Sequence, residues 1–410
     1  MSSINLTARI GLNATQLRDR ITILGEQIST GRKGKTYAAV GVDAPKALNL
    51  RSEIGRRETY QTTISQTLSK VGVSQDVLDR IGAIAQKFTA NTAKLLGAAK
   101  AEEIQIQAAQ AEAAMVEVAT LLNEQLNGEY LFGGSDSHNP PIPNPQTIAT
   151  SGMGLLIKTS VASLNGSNVA AVLDDTKSLA QSNGATVTPF SDFLRTTKWA
   201  GTTPYAVGDL IVNNGNIYRA TTAGISDAAG GPTGQVNGIS DGTVTWDWVK
   251  EGSIAGATEA RVNILGNDND RVAYGIHANR NATTVSIGET TGSWARDLLR
   301  GLASIAGLTP EKAQLGSDYT TFITTIRKGL DSAVDALALE RGSLGLTEAR
   351  LQSMASYHES VSTSLTLQLS NLEEVDMAKT ITSFQTTQSQ LEASYRALAI
   401  SQQLSLTRFL

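Results

Sequence analysis

From Leu346 to Leu410 the chain contains neither glycine nor proline. Those two residues punctuate irregular structure, and a run this long without them favours uninterrupted helix. The opposite end is built alike, with Pro45 the single proline between Met1 and Gly128. Seven of the nine prolines fall between Pro140 and Pro232, and the four tryptophans, Trp199, Trp246, Trp248 and Trp294, between 199 and 294. The chain therefore reads as helical end, irregular β-rich middle, helical end.

Periodicity refines the ends. Ile10, Ala14, Leu17, Ile21, Leu24 and Ile28 step by four and three, a heptad seam that stops at Ser29-Thr30-Gly31. A loop is expected from Gly34 to Val42, then a helix with Asp43 as N-cap and Pro45 in its first turn, running to about Lys70. Two more helical stretches, including the alanine-rich run Ala98 to Thr120, reach a stop at Asn127-Gly128. Near the C-terminus Ile381, Phe384, Leu391, Tyr395 and Leu398 mark one face, with Gln388 and Gln402 in the same seam. An isolated amphipathic helix is marginal in water, so each seam needs a partner. A closed antiparallel bundle would satisfy both. The seams lie at opposite chain ends, however, and are rich in Gln, Ser and Thr. That favours helices ordered by assembly.

Bulk composition excludes several function classes. Net charge is −4, without the basic excess that nucleic-acid binding requires. There is no cysteine, hence no disulfide, thiolate or Cys-ligated metal. No run of 18 apolar residues predicts a membrane span. The start, Met1-Ser2-Ser3-Ile4-Asn5, lacks the charged and apolar regions of a cleaved signal. P-loop and zincin signatures are absent. His138, His277 and His358 lie more than 80 residues apart, and Glu102-Glu103 and Glu373-Glu374 diverge by about 100° on a helix. The expectation is a non-enzymatic chain with no catalytic, metal or cofactor residue.

Four stretches carry a family resemblance: Gln27-Ile28-Ser29-Thr30-Gly31-Arg32; Asp43-Ala44-Pro45-Lys46-Ala47-Leu48; Gly128-Glu129-Tyr130-Leu131-Phe132-Gly133-Gly134; and the tail from Asn371-Leu372-Glu373-Glu374-Val375-Asp376-Met377-Ala378 through Gln390-Leu391-Glu392-Ala393-Ser394-Tyr395 to Leu404-Ser405-Leu406. In order, they resemble the bacterial flagellin superfamily, which includes filament flagellins and hook–filament junction proteins. The second stretch departs from the family in lacking its paired Asp. The tail is more similar to junction proteins.

The resemblance covers roughly residues 1–135 and 335–410. It implies a mainly α chain whose termini pair in a coiled coil, 1–36 with 370–410. A helical rod layer is implied over 37–140 with 295–369, and a variable outer insertion over 141–294. Ile10, Leu17, Ile21, Leu24, Ile28, Ile381, Phe384, Leu391, Tyr395 and Leu398 would then form the assembly interface. The implied partners are other copies and other axial subunits of hook, junction or filament, and an export chaperone for the C-terminal helix. The implied location is the extracellular flagellum, reached through the flagellar type III apparatus.

Within the insertion, residues 195–253 read as a small β module: short alternating runs divided by Gly and Asn turns. Lys198-Trp199, Pro204-Tyr205-Ala206-Val207-Gly208-Asp209, Gly215-Asn216-Ile217-Tyr218-Arg219-Ala220 and Thr243-Val244-Thr245-Trp246-Asp247-Trp248 resemble chitin-binding-like carbohydrate modules. Trp199, Tyr205, Tyr218, Trp246 and Trp248 could stack on a polysaccharide. They could equally be the module's own core, since so small a unit has little else to bury, and the second reading is favoured.

Overall fold

A computed structural model describes residues 2–97 and 100–406. It is mainly α, with a β-containing middle. The helices are α1 (Ser2–Thr30), α2 (Ala44–Leu96), α3 (Ala101–Leu121), α4 (Gly152–Ala162), α5 (Val169–Gln181), α6 (Asp192–Arg195), α7 (Trp294–Ala306), α8 (Ser317–Glu373) and α9 (Met377–Leu406). Strands β1 (Gln125–Leu126) and β2 (Glu129–Tyr130) follow α3. Strands β3 (Thr197–Lys198), β4 (Pro204–Tyr205), β5 (Leu210–Asn213), β6 (Asn216–Thr222), β7 (Gly224–Ile225), β8 (Ile239–Asp241), β9 (Val244–Glu251), β10 (Asn263–Asn267) and β11 (Asp270–Ala273) lie between α6 and α7. The chain divides into two compact units, Met1–Thr62 with Met354–Leu410, and Thr63–Ser353.

The larger unit is organised by heptads. Along α2 the buried positions Ile64, Thr67, Val71, Ser74, Leu78, Ile81, Ala85, Phe88, Thr92 and Leu95 alternate steps of three and four. This seam overrides the expected break near Lys70: α2 continues through Gly72 and Gly82, and the Gly82 position faces Leu337 of α8. Along α8, Ile323, Ile326, Leu330, Ala333, Leu337, Glu340, Leu344 and Leu351 repeat the pattern. Glu340 is a carboxylate in an apolar seam. Its Oε1 accepts hydrogen bonds from the backbone N–H groups of Ala282, Thr283 and Thr284 and from the Thr284 hydroxyl, at 2.8–3.1 Å. Four donors offset the desolvation of the charge and fasten the chain returning from the middle onto α8.

The expected helix stop at Asn127-Gly128 is instead a hairpin turn. Helix α3 ends at Leu121, and Leu126 pairs with Glu129 across the two-residue loop. Asn127 and Gly128 have φ of 56° and 81°, the pair of positive values that a type I′ turn demands. Ala98 and Ala99 of the alanine-rich run lie outside the described residues. The chain beyond the hairpin turns inward: Phe132 is fully buried, and its carbonyl accepts from Ala278 N–H at 3.0 Å. Gly134 has φ 65°, and a Cβ there would overlap Glu259 Oε2 and the His277 ring.

The middle holds nine strands, β3 to β11, and helices beside them. Helices α4 and α5 lie in it and pack on α7, every residue of which is buried. Helix α7 brings three charges inside. Arg296 donates to the carbonyls of Ala180, Ser182 and Asn279 and to Asn183 Oδ1, and its guanidinium lies 5.0 Å from the Phe190 ring centroid. Burial lowers its pKa to about 10, against the pull of Asp297. Arg300 donates to Leu173 O, Thr176 Oγ1 and Glu289 Oε1. Asp297 accepts from Thr290 Oγ1 and Thr291 N–H. Burial still pushes its carboxyl above the usual range, against those hydrogen bonds and the charge of Arg300.

The β module is closed at its base, where Ala257 N–H donates to Thr196 O at 3.0 Å. Its main sheet has the order β3-β5-β6-β9-β8, antiparallel except for the β3–β5 pair.

Gly134→Ala is expected to lower the unfolding free energy by about 2 kcal/mol or more, through the left-handed backbone and the overlap together; urea titration of the purified chain measures it. For Asp297, both folded and unfolded carboxyls are neutral well below 3.8, and burial then costs little. As pH rises through the raised folded value the charge must be buried, so stability falls. The urea midpoint of the wild type is therefore expected to drop relative to Asp297→Asn between pH 3 and pH 7, and a constant difference would refute that assignment.

Candidate assembly surface

Helix α1 ends at Thr30 because Gly31 takes φ 72° and donates its N–H to Gln27 O at 2.8 Å, an αL cap. The chain then pairs with the break between α8 and α9. Lys33 N–H donates to Glu373 O and Val375 N–H to Gly31 O, at 2.8 and 2.9 Å, around an antiparallel bridge from Arg32 to Glu374. Lys33 Nζ donates to Leu372 O, and Arg51 pairs with Glu373 Oε2 at 2.6 Å. The end of α1 and the start of α9 are thus stapled through the backbone, and the two helices run antiparallel from that point. Nearby, His358 is fully buried and stacks on Tyr60 with ring centroids 5.2 Å apart.

The α1–α9 seam retains most of the predicted positions and changes the phase of others. Leu24 and Ala14 are buried, and Leu17, Ile21 and Ile28 half-buried. The Ile10 side chain lies outside the described residues. On α9 the covered positions are Thr380, Phe384, Thr387, Leu391, Ser394 and Leu398, again steps of four and three. Ile381 and Tyr395, expected in the seam, remain 40% and 49% exposed, and Gln388 is exposed too. Threonine explains the offset. Thr380 and Thr387 donate their hydroxyls to Asp376 O and Ser383 O in their own helix, which lets both sit in the seam without an unsatisfied group. A search for apolar residues alone passes over them.

In this unit the apolar side chains are distributed inside out. Among the described residues its buried hydrophobics are Ala14, Leu24, Ala47 and Leu50. Its exposed large ones are Leu12, Ile23, Val42, Leu48, Tyr357, Leu367, Met377, Ile381, Tyr395 and Ile400. Val42 is 97% exposed. Leu12 and Ile23 are eleven residues apart on α1, about three turns, and so share a face. Ile381 and Tyr395 are two heptads apart on α9. Each helix therefore carries one stripe against its partner and a second facing outward.

The five module aromatics form a core. Tyr205, Tyr218 and Trp246 are buried there, with Trp199 and Trp248 packed against them and partly exposed. Their polar atoms are occupied internally: Trp199 and Trp246 both donate to Asp241 Oδ2, Trp248 donates to Asn216 Oδ1, and Tyr218 donates to Gly234 O. Tyr205 OH accepts from Ala200 N–H. Tyr218 and Trp246 have no free ring face on which a sugar could stack.

Residues 327–410 match the family model of the bacterial flagellin C-terminal helical region. The match supports a flagellin-family structural chain. It spans α8 from residue 327 onward, the stapled break and α9, the helix that carries one of the two outward stripes. No curated protein matches the chain. Among the described residues no group of His, Asp and Glu is arranged to hold a metal ion, and no helix is long and apolar enough to cross a membrane.

Substitution of Ile23, Ile381 and Tyr395 by serine is expected to leave the stability of the dilute subunit within about 0.5 kcal/mol for each change. Leu24→Ala should cost about 2 kcal/mol. Thermal melts of the unassembled chain distinguish the inner stripe from the outer one.

Proposed function

We propose that this chain is a structural subunit of the bacterial flagellum, polymerising through α1 and α9, in the filament or at the hook–filament junction. The observation that carries the reading is the second apolar stripe on both helices, in the unit that includes much of the flagellin match. Burying one large apolar side chain contributes about 1.5–3 kcal/mol, so the six exposed on α1 and α9 (Leu12, Ile23, Met377, Ile381, Tyr395 and Ile400) supply a drive for association. The α1–α9 pair alone leaves them in water. Neighbouring copies, each offering the same stripe, cover them.

The remaining parts fit this role. Heptad-packed α2, α3 and α8 give a stiff body, and the β module, closed at Thr196 and Ala257, is an appended unit. Export through the flagellar type III apparatus goes with this reading, and a chaperone covering α9 would keep its outer stripe from premature association. The tail leans towards a junction subunit. Antibody labelling of intact flagella separates the two placements, by decoration of one ring or of the whole length.

Deletion of residues 386–410 is expected to abolish polymerisation, measured by sedimentation and electron microscopy after seeding with flagellar fragments. The aromatic core of the β module should fold unchanged, as followed by near-UV circular dichroism. Normal polymers from the truncated chain would exclude this function.

A further inference from the structure

The staple at Gly31 leaves a cleft of about 500 Å³, lined by Thr30, Arg32, Lys35, Val40, Arg51 and Glu373 among others. Two charged groups in it are incompletely matched. The Glu373 side chain is 10% exposed; Arg51 holds its Oε2, while its buried Oε1 has no hydrogen-bond partner. Arg32 is exposed, and among the described residues its guanidinium has no carboxylate partner. Lys35 is already paired with Glu26 at 2.7 Å. The cleft therefore lacks one donor, for a nine-tenths-buried carboxylate oxygen, and one anion, for Arg32. A small anion would satisfy the second need and aggravate the first.

The complementary pattern stands on α1 of the same chain. Arg18, Asp19 and Arg20 are all exposed, and none of them has an ion-pair partner among the described residues. Adjacent helical positions diverge by about 100°, but the long arginine stems allow a guanidinium to swing back beside the carboxylate. The triplet lies twelve or so residues before the cleft, about 18 Å along a straight helix. It therefore cannot reach the cleft of its own chain without breaking α1.

We propose that the Arg18-Asp19-Arg20 face of one copy docks into the Gly31 cleft of the next, with Asp19 on Arg32 and a flanking arginine on Glu373 Oε1. This rests on the polymer reading above and names one of its contacts. The two surfaces differ, so the contact is heterologous. Repeated from copy to copy without closing, such a contact generates a helical array. An exposed ion pair alone is weak. The buried Glu373 oxygen, left unpaired in the free subunit, gives this one its strength and its dependence on an arginine.

The test is charge reversal with rescue. Asp19→Arg and Arg32→Asp change exposed residues and should leave the melting of the dilute subunit unchanged. Each is expected to raise the critical concentration for seeded polymerisation about tenfold or more, and the double variant to return it to within about threefold of wild type. Arg18→Ala with Arg20→Ala should weaken polymerisation similarly. Because the chain has no cysteine, mixing Asp19→Cys copies with Arg32→Cys copies offers a second readout. A disulfide should form between the two kinds of copy in the polymer and not in dilute solution. If wild type polymerises and the single reversals match it, or the double is as poor as the singles, the contact is wrong while the polymer reading stands. If wild type forms no polymer, both fall.

Discussion

The α1–α9 pair does not cover its own apolar surface: Leu12, Ile23, Ile381, Tyr395 and Ile400 stay exposed. Two helices in contact bury one stripe each. Here the inner stripe is diluted with Ala14, Thr380, Thr387 and Ser394, so the pair is held lightly, while larger side chains such as Ile23, Ile381, Tyr395 and Ile400 face outward. A globular domain places its large residues the other way round. The arrangement costs stability in the free subunit, and on the proposed function assembly would return it.

Hydrogen bonding compensates where packing is thin. The end of α1 and the start of α9 are joined by reciprocal backbone bonds around the Arg32–Glu374 bridge. These bonds hold the two helices antiparallel, with their outer faces exposed. The larger unit follows a different logic. Long three–four seams on α2 and α8 bury Ile64, Phe88, Ile323 and Leu330, and polar ties such as Glu340 to residues 282–284 and Arg296 to the end of α5 fix the middle to that frame.

The helical ends, the stop at Gly31, the heptad spacing and the aromatic core of the β module were legible in the sequence because each is a local signal. What escaped depends on contacts distant in sequence. Helix α2 runs through Gly72 because its seam on either side outweighs one glycine's propensity. Helices α4 and α5 are hidden among glycines and polar residues, and they owe their positions to packing on α7 and to the carbonyls that Arg296 and Arg300 bind. Ile381 and Tyr395 face away from α1 within the subunit because threonines satisfied by local backbone carbonyls serve as seam residues. Asn127-Gly128, expected as a helix stop, is a hairpin turn instead, since both arrangements use positive φ.

The central claim is that α1 and α9 are only partly satisfied until copies meet. Amide hydrogen exchange on the same chain, dilute and then polymerised on flagellar seeds, tests it most directly. Weak protection along α1 and α9 in the dilute subunit, rising by orders of magnitude in the polymer while α7 and the α2–α8 seam stay unchanged, is the predicted result. Full protection of both terminal helices in dilute solution, with no further gain on seeding, would contradict the account.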